Sequence, residues 1–234
     1  MADVLQPKNV PTIVHCFFPF NRVPNSEGIF NPLLSVQITQ LADGVFHWLH
    51  DESFFLAHLW RAFTSCNNFE PEEEITIRLI VGARPRFQPP LPKEYFGNAI
   101  FLVTLTATAA DLVKKGIGWV ALQINKKVTN QNNEEVKKWY ENWIEKPEVV
   151  KKEGKLERNG IGVSSSPRFN MYGNDFGWGK PVAIRSGIGH KYKPMFTFFA
   201  GADDGDMDIE ACLFPETLIA MGNDEEFMEF VACE

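Results

Sequence analysis

Hydrophobic and polar residues alternate with a period of two in several short stretches of the chain. Leu34, Val36 and Ile38 alternate with polar neighbours, which is the pattern of a strand with one buried face. Other short runs are continuously apolar and rich in β-branched residues, which also favours strands. Together these patterns predict strands over residues 33–40, 75–81, 99–106, 161–166, 182–185, 195–200 and 207–213.

Helical periodicity occurs between these strands. Ser53 is a candidate N-cap for a helix whose apolar residues lie nearly all round it, so this helix is deeply buried or faces an absent partner. Residues 109–127 predict one continuous helix, although Gly116 and Gly118 weaken it by about 1 kcal/mol each relative to alanine. Two further helices are predicted, over residues 134–146 and from Pro215 onward.

The order of these elements predicts the class of fold. Strands and helices are mixed along the chain, which is typical of an α/β layer sandwich built on a mixed sheet. The 234 residues allow one large domain or two small ones. An apolar content of 44 % is sufficient for a hydrophobic core.

Composition restricts the classes of partner. A net charge of −7 argues against nucleic acid, because phosphate binding needs a basic face. No apolar run approaches the roughly 18–20 residues that span a bilayer, and the first residues do not resemble a signal peptide. The cysteines are far apart, and the acids at 203–206 lack the spacing of a calcium loop. The sequence therefore predicts free thiols, no metal site, no membrane partner and a cytoplasmic location.

The most distinctive stretch is Asp-Phe-Gly-Trp-Gly-Lys-Pro, at residues 175–181. Glycine permits backbone angles that other residues avoid, so the run is typical of a tight turn in which Trp178 packs against a neighbour. Asp-Phe-Gly also occurs in protein kinases. The chain has neither the His-Arg-Asp loop nor the glycine-rich loop of kinases, which argues against that function.

The complete string resembles the closing motif of the plant BAHD acyltransferases, which transfer an acyl group from coenzyme A to an alcohol or amine. The resemblance implies a fold like the chloramphenicol acetyltransferase domains, acyl-CoA as co-substrate and no tightly bound cofactor. It divides the chain into residues 1–52, a remnant of the family's first domain, and residues 53–234, its second domain. The other matching segments are residues 17–21, 33–39, 57–62, 84–86, 89–92, 95–98 and 164–169.

The resemblance also assigns structural roles around the turn. In the family the motif aspartate pairs with an arginine, which makes Arg84 the expected partner of Asp175. A bidentate pair of this kind would hold the turn in place. Gly177, Trp178 and Gly179 are then structural residues of the same turn. A catalytic role for the aspartate is the alternative interpretation.

Ser164 and Ser165 are the candidate residues for binding the co-substrate. They lie where the resemblance places the coenzyme A channel. A plain strand end is an equally good interpretation of the same residues.

The resemblance is weakest where the catalytic base is expected. Full members are much longer, and they carry a His-x-x-x-Asp-Gly motif soon after a hairpin that residues 42–44 resemble. In this sequence His47 and Asp51 have the His-x-x-x-Asp spacing, but Glu52 stands where the family has glycine. The resemblance implies that His47 would take a proton from the acceptor while Asp51 holds the loop. A histidine at a plain chain junction is the alternative.

Two hypotheses about function follow. In the first, the chain is an acyltransferase that uses acyl-CoA and a small-molecule acceptor from plant metabolism. In the second, it is a truncated and inactive remnant, or a partner that associates with full-length relatives through an exposed domain interface.

Overall fold

The computed structural model describes residues 52–147, 158–166, 169–186, 194–201 and 207–229. In these residues a five-stranded mixed sheet has helices packed on one face, which confirms the predicted α/β layer fold. The strands are β1 (Glu74–Gly82), β2 (Ile100–Thr108), β3 (Gly160–Ser166), β4 (Met195–Ala200) and β5 (Met207–Cys212). The helices are α1 (Glu52–Ser65), α2 (Ala109–Lys114), α3 (Ile117–Thr129), α4 (Asn133–Glu145), α5 (Pro215–Gly222) and α6 (Glu225–Met228).

The strands lie in the order β2-β1-β3-β4-β5. β3 pairs in parallel with β1 and with β4, whereas β2 and β5 are antiparallel strands at the two edges. Because β1, β3 and β4 run in one direction, Gly82, Ser166 and Ala200 lie at the same end of the sheet. We call this the carboxyl end, and it is the end at which open α/β sheets usually bind ligands.

One face of the sheet forms the hydrophobic core with the helices. Trp60 and Phe63 of α1 are almost completely buried, so of the two alternatives predicted for this helix the structure supports deep burial. Each large apolar side chain removed from water contributes about 1.5–3 kcal/mol. The buried sheet residues on this face include Ile75, Ile77, Leu79, Phe101, Val103, Ile161, Val163, Phe196 and Phe198.

Helix α1 begins toward the carboxyl end of the sheet. Thr217 in α5 donates a hydrogen bond of 2.8 Å to the Asn67 side chain, just after α1. α5 follows the end of β5, where Cys212 pairs with Met195, the first residue of β4. The last turn of α1 therefore lies at the amino end of the parallel strands. A helix of 14 residues is about 21 Å long, so Glu52 lies toward the opposite, carboxyl end.

The predicted helix over residues 109–127 is wrong in one respect, because the structure divides it into α2 and α3. Gly116, between them, has φ of +77°, which no continuous right-handed helix accommodates. The Thr108 side chain caps α2 by accepting a hydrogen bond from the backbone N–H of Asp111. Gly118 lies within the first turn of α3.

Two further sequence predictions are wrong. Residues 182–185 form no strand, and the chain there is held by side-chain bonds to β5. Ser53 is not an N-cap, because α1 already begins at Glu52. The other predicted strands and helices of the described part are confirmed within two residues of their bounds. The strand over 33–40 lies outside the described residues, and the division at residue 52 stays a prediction.

Candidate functional site

The face of the sheet opposite the helices is open over β1 and β2. Alternate residues of these strands point away from the core, and the register pairs Arg78 with Thr104 and Ile80 with Leu102. All four side chains are exposed or half-buried. We call this surface the open face.

Ser164 lies on the open face near the carboxyl end. It follows Val163, which pairs with Leu79, so Ser164 is next to Ile80, and on its other side it pairs with Thr197. Its side chain is half-buried. Ser164 therefore belongs to a row of side chains that crosses the sheet and consists of Leu102, Ile80, Ser164, Thr197 and Glu210. This row combines apolar, hydroxyl and carboxylate groups, as small-molecule sites do.

Part of the connection from β3 to β4 is fastened to the outer strand β5. We call its described part, residues 169–186, the β3–β4 loop. The Tyr172 hydroxyl donates a hydrogen bond of 2.9 Å to the Asp208 carboxylate, and Arg185 lies 4.0 Å from the same carboxylate. Burial, followed by this hydrogen bond, raises the pKa of Tyr172 well above its ordinary value. The hydroxyl therefore stays protonated and keeps donating.

A second attachment lies two residues further along β5. Ser186 donates to the Glu210 carboxylate through both its backbone N–H and its hydroxyl. Asp208 and Glu210 share one face of the strand because side chains alternate with a period of two. Phe199, which pairs with Asp208 on this face, is buried. The β4–β5 side of this face is therefore covered, in contrast to the open β1–β2 side.

The turn at residues 175–179 is closed by its own aspartate. The Asp175 carboxylate accepts hydrogen bonds from the backbone N–H groups of Gly177, at 2.7 Å, and Gly179, at 3.1 Å. Both glycines have positive φ, +95° and +97°, which residues with a Cβ avoid, so the conformation of this turn requires glycine at both positions. The expectation that Trp178 packs against a neighbour is wrong, because its side chain is 65 % exposed.

The expected ion pair between Arg84 and Asp175 is not formed in this structure. The Arg84 guanidinium instead donates to the carbonyl oxygens of Tyr95, at 3.3 Å, and Gly97, at 3.1 Å. The Arg84 Nε is buried without a hydrogen-bond partner. Two local sets of bonds thus replace the long-range pair, since each charged group is held by backbone close to it in the chain.

Two of the sequence-predicted site residues, His47 and Asp51, lie outside the described residues. Their roles as base and loop-holding residue stay predictions. Ser165 is in β3, where its backbone pairs with that of Phe198.

Arg86 makes structural hydrogen bonds that the sequence did not predict. Its guanidinium donates to the carbonyl oxygens of Val128, at 3.0 Å, and Gln131, at 2.9 Å, where α3 ends. A third bond of 3.2 Å reaches the carbonyl of Gly82 at the end of β1. Arg86 therefore ties the β1–β2 connection to the helix layer. Its occurrence two residues after Arg84 is the only sequence signal, and it identifies no partner.

A second missed contact lies between α1 and α6. The Cys66 thiol donates to the Asp224 carboxylate over 3.6 Å. Burial, and then the nearby negative charge and hydrogen bond of Asp224, raise the pKa of the thiol to about 11. Cys66 is a free cysteine.

Two other findings concern the described ranges as a whole. They contain no cluster of three or more His, Cys, Asp or Glu side chains arranged to hold a metal ion. They also contain no helix with the length and apolarity needed to cross a bilayer.

Comparison with known proteins identifies relatives over most of this structure. The profile of the Transferase family matches residues 52–228. An uncharacterized acetyltransferase of Arabidopsis thaliana is 38 % identical over 175 residues, which cover 74 % of this chain and 40 % of the relative. Benzyl alcohol O-benzoyltransferase of Petunia hybrida is 31 % identical over 206 residues, which cover 80 % of this chain and 43 % of the relative. The chain thus spans about two-fifths of the length of these relatives.

Solved structures confirm the class of fold. F. sporotrichioides TRI101, in complex with coenzyme A and T-2, superimposes with a TM-score of 0.68 at 15 % identity over 78 % of this chain and 43 % of that chain. Vinorine synthase superimposes with a TM-score of 0.58 at 15 % identity, over 76 % of this chain and 41 % of that chain. The predicted likeness to chloramphenicol acetyltransferase-like domains is therefore confirmed.

Proposed function

This chain belongs to the Transferase family of BAHD acyltransferases, and we propose that it takes part in moving an acyl group from acyl-CoA to a hydroxyl or amine of a small plant metabolite. The observation that carries the proposal is the family match over residues 52–228, which includes the whole sheet and its open face. The names of several relatives support it, because they are O-acyltransferases with benzoyl or hydroxycinnamoyl donors.

The proposed binding surface for acyl-CoA is the carboxyl half of the open face. Ser164 offers a hydroxyl there, and Ser165 is the next residue of β3. The Ser164 hydroxyl suits a chain that carries amide groups. Acyl-CoA acts as a co-substrate in this proposal, and no tightly bound cofactor is required.

The proposed chemistry needs one general base. His47 accepts the proton of the acceptor hydroxyl or amine as that oxygen or nitrogen attacks the thioester carbonyl. The carbon–sulfur bond then breaks, the acyl group stays on the acceptor, and the coenzyme A thiolate takes the proton. Asp51 holds the loop that carries the histidine. General base catalysis of this kind contributes about 10²–10⁴-fold to a rate.

The test is release of free thiol from benzoyl-CoA or a hydroxycinnamoyl-CoA in the presence of benzyl alcohol or shikimate. We expect thiol release that falls at least about 100-fold in His47→Ala. Thr106→Ala, at the amino end of the open face, is the matched control and should keep full activity. Equal rates in the native chain and His47→Ala would exclude this histidine as the base.

A second candidate function is that of a non-catalytic partner of full-length relatives. The observation that favours it is the set of exposed apolar side chains on the open face, which are typical of an interface. It predicts no thiol release with any donor, and co-elution with a full-length relative on size exclusion.

We also propose a cytoplasmic location. The free thiol of Cys66 supports a reducing compartment. Cell fractionation with an antibody to the chain would test it.

A further inference from the structure

Three apolar side chains form a continuous exposed patch on the open face. Ile80 pairs with Leu102, and Ile100 is two residues before Leu102 on the same face of β2. Their exposed fractions are 36 % for Ile80, 49 % for Leu102 and 40 % for Ile100. All three lie at the carboxyl end, where β1 ends and β2 begins. We call this patch the apolar corner.

The apolar corner differs from the rest of this sheet face. On the β4–β5 side, the β3–β4 loop covers the face and Phe199 is buried. At the amino end of β1 and β2, the outward residues are Thr76 and Thr106, whose hydroxyls contact each other at 3.2 Å. Among the described strand residues of this face, large exposed apolar side chains therefore occur only at this corner of the open β1–β2 side.

Residues 1–51 enter the described structure at the same end of the sheet. They are continuous with Glu52, the first residue of α1, which lies toward the carboxyl end. A chain extends by at most about 3.3–3.6 Å per residue, so even a small part of this segment reaches past the sheet end to the open face. The segment supplies apolar partners, among them Phe17, Phe18, Phe20 and Phe30.

We propose that residues 1–51 of this chain pack over the apolar corner and cover Ile80, Ile100 and Leu102. The location of Glu52 and the chemistry of the corner both support this occupant over a second copy of the chain. Association with a second copy would leave the segment's own apolar residues to find another surface.

The proposal has a consequence for the predicted base. His47 precedes Glu52 so closely that its Cα lies within about 18 Å of the start of α1. Because Glu52 lies toward the carboxyl end, this limit keeps the predicted base within reach of the end of the sheet near which Ser164 lies. This consequence rests on the proposed function, whereas the contact itself does not.

The direct test is photo-crosslinking of the full-length chain. Benzoylphenylalanine replaces Leu102, or replaces Thr106 as the matched control on the same strand and face. We expect an intramolecular adduct from position 102 to a peptide of residues 1–51, and none from position 106. An adduct that joins two copies, or no adduct from position 102, would overturn the proposal.

A second test uses proteolysis of the full-length chain. Leu102→Glu places a charge in the corner, and because Leu102 is half-exposed the sheet tolerates it. We expect trypsin to cut after Arg22 about tenfold faster in Leu102→Glu than in Thr106→Glu, because cleavage follows the population of the opened segment. Equal cleavage rates in the two variants would contradict the contact. Neither test uses acyl transfer, so an inactive chain with a protected segment would refute only the proposed function.

Discussion

Tyr172 and Asp208 join the β3–β4 loop to the edge of the sheet through one hydrogen bond of 2.9 Å. Together with the Ser186–Glu210 bonds, this contact makes β5 the support on which the loop rests. The Asp-Phe-Gly-Trp-Gly turn lies between these two attachments. Its position therefore depends on two carboxylates of one strand as well as on its own internal bonds.

The first prediction concerns stability at high pH. The pKa of Tyr172 is higher in the folded chain than the ordinary tyrosine value of about 10. The folded state thus keeps a proton that the unfolded state loses, so the free energy of unfolding falls as the pH rises above about 10. We expect this fall to be smaller in Tyr172→Phe, measured by urea unfolding between pH 8 and 11. The control is Tyr140→Phe, because Tyr140 is exposed. If the free energy of unfolding fell as little in Tyr140→Phe as in Tyr172→Phe, the pH dependence could not be assigned to Tyr172.

The second prediction concerns the reactivity of Cys66. Its pKa of about 11 leaves little thiolate at neutral pH, so iodoacetamide should modify it slowly, with a rate that rises toward pH 11. Asp224→Asn removes the negative charge but can still cap α6, where Asp224 accepts from the N–H of Phe227. We expect the midpoint of the rate–pH curve to fall in Asp224→Asn, by mass spectrometry of the Cys66 peptide. An unchanged midpoint would show that the carboxylate has no influence on the thiol.

The third prediction concerns the glycines of the turn. Gly177→Ala and Gly179→Ala place a Cβ on residues with φ near +95°, which costs about 1–2 kcal/mol each. The matched control is Gly118→Ala in α3, where alanine is the better helix former and no atom lies within 4 Å of the new Cβ. We therefore expect the melting temperature, measured by thermal unfolding, to be lower in the two turn variants and unchanged or higher in the control. Equal effects at all three sites would argue against the positive-φ explanation.

The fourth prediction concerns Arg86. Arg86→Lys keeps the charge but loses the planar fork that reaches both Val128 and Gln131, so we expect a loss of about 1–3 kcal/mol in the free energy of unfolding. Arg78→Lys, on the open face, should change stability by less than about 0.5 kcal/mol. Urea unfolding measures both. If Arg86→Lys lowered the free energy of unfolding no more than Arg78→Lys does, the bonds from Arg86 to the end of α3 would not stabilise the fold.

The sequence predicted those elements whose pattern is local. The run Met195–Ala200 is apolar and aromatic, and it forms β4 with the predicted bounds. The break in the helix at Gly116 could not be placed, because composition does not show whether a glycine adopts positive φ. The expected enclosure of Trp178 depended on what lies against it, and a motif does not contain that information.

The contacts of the candidate site were predictable only in part. The residue pattern predicted that Ser164 lies in a strand, and the register places it on the open face. Its role at the coenzyme A channel came from the resemblance alone and stays a prediction. Asp208 and Glu210 alternate on a strand, so their shared face follows from the sequence. Their partners Tyr172 and Ser186 come from an irregular loop, where no periodicity connects one residue with another.

The central position of β3 has a consequence for the order of folding. β1 and β2 pair early in synthesis, but the other edge of β1 waits for β3, as in the pair of Thr76 with Gly160. Until then β1 presents unpaired backbone groups that can pair with another chain. Contacts between residues so distant in sequence form slowly, so the nascent chain is most prone to aggregation before β3 is made. A chaperone that shields this edge during translation would raise the yield of folded protein.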